Sequence, residues 1–86
     1  QMSELTRAQK DEFIEFIAKH LVDSPDSVSI DEAFPNEKTI EMTLKVGPED
    51  VGKVIGKQGK TAQAMRTLLT AIAAKEGKRA ILKILD

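Results

Sequence analysis

The chain has 86 residues, of which 41% are hydrophobic, and its formal net charge is −1. This length suits one small globular domain with a single core, and no apolar run approaches the roughly 18 residues that span a bilayer. The absence of cysteine excludes disulfides and cysteine-ligated metal, and the single histidine, His20, argues against a zinc site.

The first predicted element is a helix over residues 7–22. Thr6-Arg7-Ala8-Gln9 has the form of a capping box, which satisfies free amides at a helix start. Six apolar residues then recur at helical spacing, namely Phe13, Ile14, Ile17, Ala18, Leu21 and Val22. Pro25 lies in the polar stretch that ends the helix. His20 falls between the apolar and polar faces, and we interpret it as a surface or packing residue.

Two strands are predicted next. Val28, Ile30 and Phe34 alternate with polar residues in the first strand, and Pro35-Asn36-Glu37 is predicted to be the turn. Residues 39–46 alternate strictly in the second strand, with Ile40, Met42, Leu44 and Val46 on its buried face. The two strands are expected to pair as a hairpin.

The second half of the chain predicts a short helix, a longer helix and a last strand. Gly47-Pro48-Glu49-Asp50 is typical of a helix start, and this helix can run only to about Ile55. After Gly59 a longer helix carries one apolar stripe, formed by Ala62, Met65, Leu68, Leu69, Ile72 and Ala73. Gly77 is predicted to be its C-terminal cap. Arg79 to Leu85 is almost continuously apolar, which predicts a well-covered strand.

The whole chain is therefore expected to be one α+β domain. We interpret Gln1 and Met2 as a remnant ahead of a domain that spans residues 3–86. No charged-then-apolar leader precedes this domain, so we expect a cytoplasmic protein. No His or Cys partner accompanies the serines, so the sequence does not predict an enzyme.

Charge is distributed unevenly along the chain. Residues 1–50 hold five Lys or Arg against twelve Asp or Glu, a balance of −7, whereas residues 51–86 hold eight against two, a balance of +6. Such asymmetry favours an interaction face in the second half, although a solvated dipolar surface is the simpler alternative.

The basic half contains a lysine-rich turn, Gly56-Lys57-Gln58-Gly59, between the two predicted helices. Two glycines let the backbone turn sharply and leave it bare, and the start of the following helix favours an anion. The turn does not fit a Walker A loop, because Val54 stands where that motif needs glycine, and Gly52, Gly56 and Gly59 do not have dinucleotide-loop spacing. A phosphate backbone remains a suitable ligand, and an ordinary glycine-rich turn is the alternative.

This turn, preceded by Val54-Ile55, resembles the GXXG loop of KH domains, which binds the backbone of about four single-stranded nucleotides. More narrowly, the chain is similar to the KhpA (YlqC) family of small single-domain bacterial KH proteins. The resemblance is carried by Pro48 to Gly59, then by Ala74-Lys75-Glu76-Gly77-Lys78-Arg79 and the terminal Ile84-Leu85-Asp86, and it covers essentially the whole chain after Met2. The resemblance implies a type II (prokaryotic) KH fold in the order α-β-β-α-α-β, with a three-stranded mixed sheet packed against three helices.

The resemblance also implies a cytoplasmic, non-catalytic RNA-binding protein without a cofactor, of a family linked to RNA chaperone activity, post-transcriptional regulation, and cell elongation and division. Its expected partners are single-stranded RNA, a second copy, and a larger KH protein called KhpB, Jag or EloR. Carried onto this sequence, the RNA contacts are Gly56, Lys57, Gln58 and Gly59, flanked by Lys53, Val54, Ile55, Lys60 and Thr61, with Arg66 as a weaker addition.

Two further readings stay open. DNA is an alternative ligand, because a GXXG loop has no sure test for the 2′-hydroxyl. The protein is alternatively an interaction adaptor that acts through pairing, as its alanine-rich long helix suggests. Exposed aromatic residues for an RRM-like platform are not predicted, because the chain has no Trp or Tyr and three Phe in its first half.

Overall fold

The computed structural model describes the backbone of residues 2–86 and the side chains of residues 10–86. Its helices and strands follow the predicted order, and they are α1 (Met2–Leu21), β1 (Ser29–Asn36), β2 (Thr39–Lys45), α2 (Val51–Ile55), α3 (Lys60–Ala74) and β3 (Arg79–Leu85). Three short 3₁₀ turns lie at Pro25–Ser27, Pro48–Asp50 and Lys57–Gly59. The α+β class and the α-β-β-α-α-β order are confirmed.

Helix α1 begins earlier than the sequence predicted. It starts at Met2, so Thr6 lies inside the helix and the predicted capping box is wrong; Gln1 lies outside the described residues. The residues before Thr6 include good helix formers and no proline or glycine, so nothing stops the helix there. Ile14 and Ala18 are fully buried, as their spacing predicted. Among residues 2–86 no helix is both long and apolar enough to cross a bilayer.

Strands β1 and β2 form the predicted antiparallel hairpin, but its turn lies further on. Pro35 and Asn36 still belong to β1, and the turn consists of Glu37 and Lys38. The side-chain oxygen of Asn36 accepts a hydrogen bond from the Lys38 amide at 2.9 Å. The predicted turn is wrong because β1 is an edge strand with an irregular register between Ala33 and Asn36, which accommodates proline.

Strand β2 is the centre of a mixed sheet, antiparallel to β1 and parallel to β3. Its alternation is confirmed, since Ile40, Met42, Leu44 and the following Val46 are buried. Strand β3 is not well covered as predicted, because Leu82 alone is buried there while Ile81 and Leu85 are exposed. A sheet with helices on one face buries only every second residue, even where the sequence is apolar throughout.

Helix α3 lies across the buried face of the sheet. Ala62, Met65, Leu69 and Ala73 are buried, but Leu68, predicted to join them, is 48% exposed. After the helix, the Gly77 amide bonds to the Ala74 carbonyl and the Lys78 amide to the Ala73 carbonyl, both at 3.0 Å. With Gly77 at φ 70°, this is a Schellman cap, and the predicted role of Gly77 is confirmed.

A buried ion pair joins the first and third helices. Lys10 is fully buried, and its Nζ lies 3.3 Å from Glu76 Oε2 in the turn after α3. This buried pair attaches α1 to the C-terminal end of α3, which is the end farthest from Gly56.

Candidate nucleic-acid interface

The turn at Gly56-Lys57-Gln58-Gly59, called here the Gly56–Gly59 loop, has a tightly defined backbone. Helix α2 ends where the Gly56 amide donates to the Gly52 carbonyl at 2.9 Å, and the loop closes where the Gly59 amide donates to the Gly56 carbonyl at 3.0 Å. Gly56, Gln58 and Gly59 all have positive φ, at 81°, 56° and 75°. Gln58 therefore adopts a left-handed conformation that non-glycine residues rarely take. The loop is a specific turn rather than a flexible linker.

The two glycines of the loop are required for different reasons. Gly56 has φ 81° and ψ 170°, a region essentially restricted to glycine. A Cβ built there would overlap Thr61 Oγ1 and lie 2.6 Å from Thr61 Cβ and 2.8 Å from its amide nitrogen. A Cβ at Gly59 would meet nothing within 4 Å. Thus Gly56 permits close packing of the loop on α3, whereas Gly59 supplies only a left-handed turn beside open space.

Two lysines of the loop region are free of ion pairs with the described residues. Lys57 and Lys60 are both exposed, as is Gln58, and none of the ion pairs among residues 10–86 includes them. Gly59 has no side chain to cap α3, so the positive end of a 15-residue helix stays uncapped next to these charges. This part of the site suits an anion.

Lys53, which the sequence also predicted as a contact, has acidic partners already. Its Nζ lies 3.3 Å from Asp23 Oδ2 and 3.5 Å from Asp50 Oδ1. The hydrogen bond and charge of Asp23, followed by the charge and hydrogen bond of Asp50, raise the pKa of Lys53 above its ordinary value despite partial desolvation. Lys53 is therefore protonated, and the negative charges of Asp23 and Asp50 offset its positive charge.

Asp50 is the centre of this arrangement, which we call the Asp50 cluster and define as Asp23, Ser24, Asp50 and Lys53. The Asp50 carboxylate is 1% exposed and accepts the Asp23 amide at 3.2 Å and the Ser24 amide at 3.1 Å. Burial by itself would raise the pKa of this carboxyl, but the two amides and Lys53 together outweigh it and lower the pKa. The cluster ties the segment after α1 to the start of α2.

The aliphatic residues before the loop do not both face outward. Val54, expected to flank the RNA contacts, is fully buried in the core and has no exposed side-chain surface to offer a ligand. Val51, one helical turn earlier, also packs against the core, so the two valines fix α2 to the domain. Ile55 is half-buried at the end of α2, and Thr61 is half-buried against Gly56.

Arg66 lies away from the loop, beside the edge of the sheet. It is the seventh residue of α3, roughly 9 Å along the helix axis from Lys60. Its Nε donates to the Leu82 carbonyl of β3 at 3.4 Å, a long hydrogen bond to an edge strand. The candidate site therefore consists of the contiguous residues 56–61, and Arg66 is separate from it.

Comparison with known proteins identifies the family. A protein-family model described as KhpA/KhpB, KH domain matches residues 11–84. The chain is a member of that family. It is 54% identical over 74 residues to RNA-binding protein KhpA of Caldanaerobacter subterraneus subsp. tengcongensis, covering 86% of this chain and 97% of the relative. It is 51% identical to RNA-binding protein KhpA of Clostridium acetobutylicum, with the same coverage. No solved structure gives a significant match.

A third relative agrees with these two. RNA-binding protein KhpA of Aquifex aeolicus is 51% identical over 75 residues, which cover 87% of this KH domain and 94% of the relative. Since the relatives are matched over nearly their whole length and over 86–87% of this chain, the similarity is not confined to the loop motif.

Sequence reasoning missed the Asp50 cluster of this KH domain. Asp50 was interpreted only as an acidic residue of a helix start, yet its side chain makes no capping hydrogen bond and turns back to Asp23 and Ser24. The one available signal was the spacing of Asp50 and Lys53, which permits an ion pair within a helical turn. The long-range partners, 26 and 27 residues away, left no local pattern.

Proposed function

We propose that this KH domain is a non-catalytic protein that binds single-stranded RNA at the Gly56–Gly59 loop. The proposal rests on the loop itself, a fixed turn with few side chains that contains Lys57 and is followed by Lys60. Neither lysine makes an ion pair with residues 10–86. Exposed lysines beside an uncapped helix end attract phosphate. The relatives named RNA-binding protein KhpA support RNA as the ligand.

The remaining predicted contacts have graded roles in this proposal. Gly56, Lys57, Gln58, Gly59 and Lys60 are the direct contacts to the nucleic-acid backbone, and Ile55 supplies apolar surface beside them. Thr61 packs against Gly56, and Val54 fixes α2 from within the core. Arg66, further along α3, would contact the RNA as a weaker addition. With two to four phosphate contacts, the logarithm of affinity should fall with the logarithm of salt concentration with a slope of roughly −1.5 to −3.

The double variant Lys57→Asp/Gln58→Asp tests this proposal. Both residues are exposed, so the fold should persist while the loop repels phosphate. We expect at least a roughly tenfold loss of affinity for a 12-nucleotide oligouridylate by fluorescence anisotropy, because about 1.4 kcal/mol of lost binding energy has that effect.

A matched control is available at the other end of α3. The Asn36→Asp/Lys38→Asp variant makes the same change in net charge in the β1–β2 turn, where the Lys38 carbonyl bonds to the Arg79 amide at 2.7 Å. Its RNA affinity should stay within about twofold of the wild type, since the site is distant from the loop. Equal losses in the two variants would show that the loop is not the binding site. Measuring the affinity for the corresponding DNA oligonucleotide tests whether binding depends on the 2′-hydroxyl.

Pairing is the second candidate function, and the exposed surface of α3 favours it. Ala64, Leu68 and Ala71 are exposed and lie on one helical face, while Ala62 and Ala73 are buried against the sheet as expected. A homodimer or a heterodimer with a KhpB, Jag or EloR protein would join two weak RNA sites and raise avidity. Roles as an RNA chaperone and in cell elongation and division rest on the family resemblance.

The Leu68→Glu variant tests pairing separately from RNA binding. We expect it to lower the molar mass measured by light scattering if α3 is the interface, while the Asp double variant at the loop pairs normally. Should that loop variant keep its cellular function as well, the adaptor function would be the principal one. Loss of function with normal pairing would favour RNA binding.

A further inference from the structure

Helix α2 depends on its surroundings for its orientation. It has five residues, too few to be stable alone in water. It is held by apolar packing, with Val54 in the core and Val51 packed against it, and by Asp50 immediately before its first residue. The buried Asp50 carboxylate binds two successive backbone amides of the segment that follows α1. The position of the Gly56–Gly59 loop, which directly follows α2, therefore depends on contacts outside the loop as well as on the packing of Gly56 against Thr61.

Lys53 completes the same attachment. It lies three residues after Asp50 and three before Gly56, and its Nζ bridges Asp50 Oδ1 at 3.5 Å and Asp23 Oδ2 at 3.3 Å. One carboxylate comes from the start of α2 and the other from the segment after α1, so the bridge joins the two segments. A lysine that binds two carboxylates has little net charge to offer a phosphate.

We propose that Asp50 and Lys53 are positioning residues, which hold α2 against the segment after α1 and thereby fix the Gly56–Gly59 loop in its binding conformation. Lys53 does not contact the nucleic-acid backbone, contrary to the expectation from sequence. The expected effect of these residues on RNA affinity rests on the proposed function, whereas their effect on the loop conformation applies to the free protein as well.

The alternative is that Lys53 is a phosphate contact and Asp23 its displaceable competitor. Asp23 is well placed for that role, because its side chain is 81% exposed. The two ideas predict opposite effects of removing the Asp23 charge. Release of Lys53 would tighten RNA binding, whereas loss of an attachment would weaken it.

Hydrogen exchange in the free protein tests the positioning role without RNA. The Gly56 and Gly59 amides are hydrogen-bonded at 2.9 and 3.0 Å within the loop region, and the Gly77 amide, at 3.0 Å after α3, is an internal reference. In Lys53→Gln we expect exchange of Gly56 and Gly59 to accelerate about tenfold relative to Gly77, because local opening becomes easier. Lys53→Arg, which keeps both ion pairs, should restore protection. Unchanged or uniformly changed rates overturn the proposal.

An RNA titration provides the second arm. Asp23→Asn is compared with Asp26→Asn, which removes the same charge from the same segment at an exposed residue that has no ion pair among residues 10–86. We expect Asp23→Asn to bind the 12-nucleotide oligouridylate about threefold more weakly than Asp26→Asn. Equal or tighter binding overturns the positioning role. If the wild type does not bind the oligonucleotide, the proposed function fails, and the exchange rates still decide the positioning role.

Discussion

Similar lysines lie in opposite surroundings within α2 and in the loop that follows it. In the middle of α2, Lys53 bridges Asp23 and Asp50, and the buried carboxylate of Asp50 is bonded to two backbone amides. After α2 ends, Lys57 and Lys60 lie in and just after a bare turn and make no ion pair with residues 10–86. The partners of each lysine therefore separate their proposed roles: Lys53, which is paired, would hold α2 in place, whereas Lys57 and Lys60 are available to a ligand.

The largest loss of stability is expected from Gly56→Ala in the Gly56–Gly59 loop. The new Cβ would overlap Thr61, and the φ of 81° with ψ of 170° is accessible only to glycine. Strain and overpacking together should lower the free energy of unfolding by about 2–5 kcal/mol. Urea denaturation measures this directly. A loss below about 1 kcal/mol would contradict the close packing of the loop on α3.

In the Asp50 cluster, Asp50→Ala should lower the stability of the fold less than Gly56→Ala but much more than Asp26→Ala. Removing Asp50 leaves the Asp23 and Ser24 amides without their acceptor and Lys53 with one carboxylate. We expect the Tm to fall by roughly 5–10 °C, against about 1 °C for Asp26→Ala. Calorimetry of the two variants makes the comparison, and equal Tm values would show that the Asp50 cluster does not stabilise the fold.

The stabilising effect of Asp50 should disappear in acid. Its pKa is lowered in the folded protein from an ordinary value of 3.8, so its contribution is complete above that pH and is lost as pH falls through the lower folded value. Lys53 has a pKa raised above 10.5, so its contribution is complete below that pH and is lost only above it. In urea titrations, the stability difference between wild type and Asp50→Asn should be constant from about pH 5 to 9 and shrink below 3.8. A difference that grows in acid would reverse the assigned sign.

The smallest effect is expected from Gly59→Ala. Its Cβ would meet nothing within 4 Å, so only the positive φ of 75° opposes it. A left-handed alanine costs about 1 kcal/mol, and urea denaturation should show a loss of that size. The contrast with Gly56→Ala separates the packing glycine from the turning glycine, and equal losses would remove that distinction.

Local pattern predicted much of this fold. The strict alternation from Ile40 to Val46 and the Gly77 cap follow from rules that act over a few residues, and both are confirmed. Exposure of β3 was not predictable in this way, because an apolar strand looks the same whether one face or two are covered. The start of α1 was also misplaced, since a capping pattern at Thr6 does not stop a helix that can continue through it.

The loop of the candidate site could be predicted from the sequence, but the contacts that hold α2 in place could not. Gly56 and Gly59 predict a turn, and Lys57 and Lys60 predict its positive charge, all within five neighbouring residues. The burial of Val54 and the attachment of Asp50 to Asp23 and Ser24 arise only when distant segments meet. Sequence spacing therefore grouped Lys53 with the loop lysines, and the structure separates them by their partners.

The salt dependence of RNA binding tests this separation most directly. Anisotropy titrations with the 12-nucleotide oligouridylate at several salt concentrations compare Lys57→Gln with Lys53→Gln, two variants with the same change in charge. Each lost phosphate contact makes the slope of the logarithm of affinity against the logarithm of salt concentration shallower by about 0.7 for a single strand. We expect that change for Lys57→Gln, and an unchanged slope with weaker binding for Lys53→Gln. Equal changes of slope in both variants would contradict this expectation.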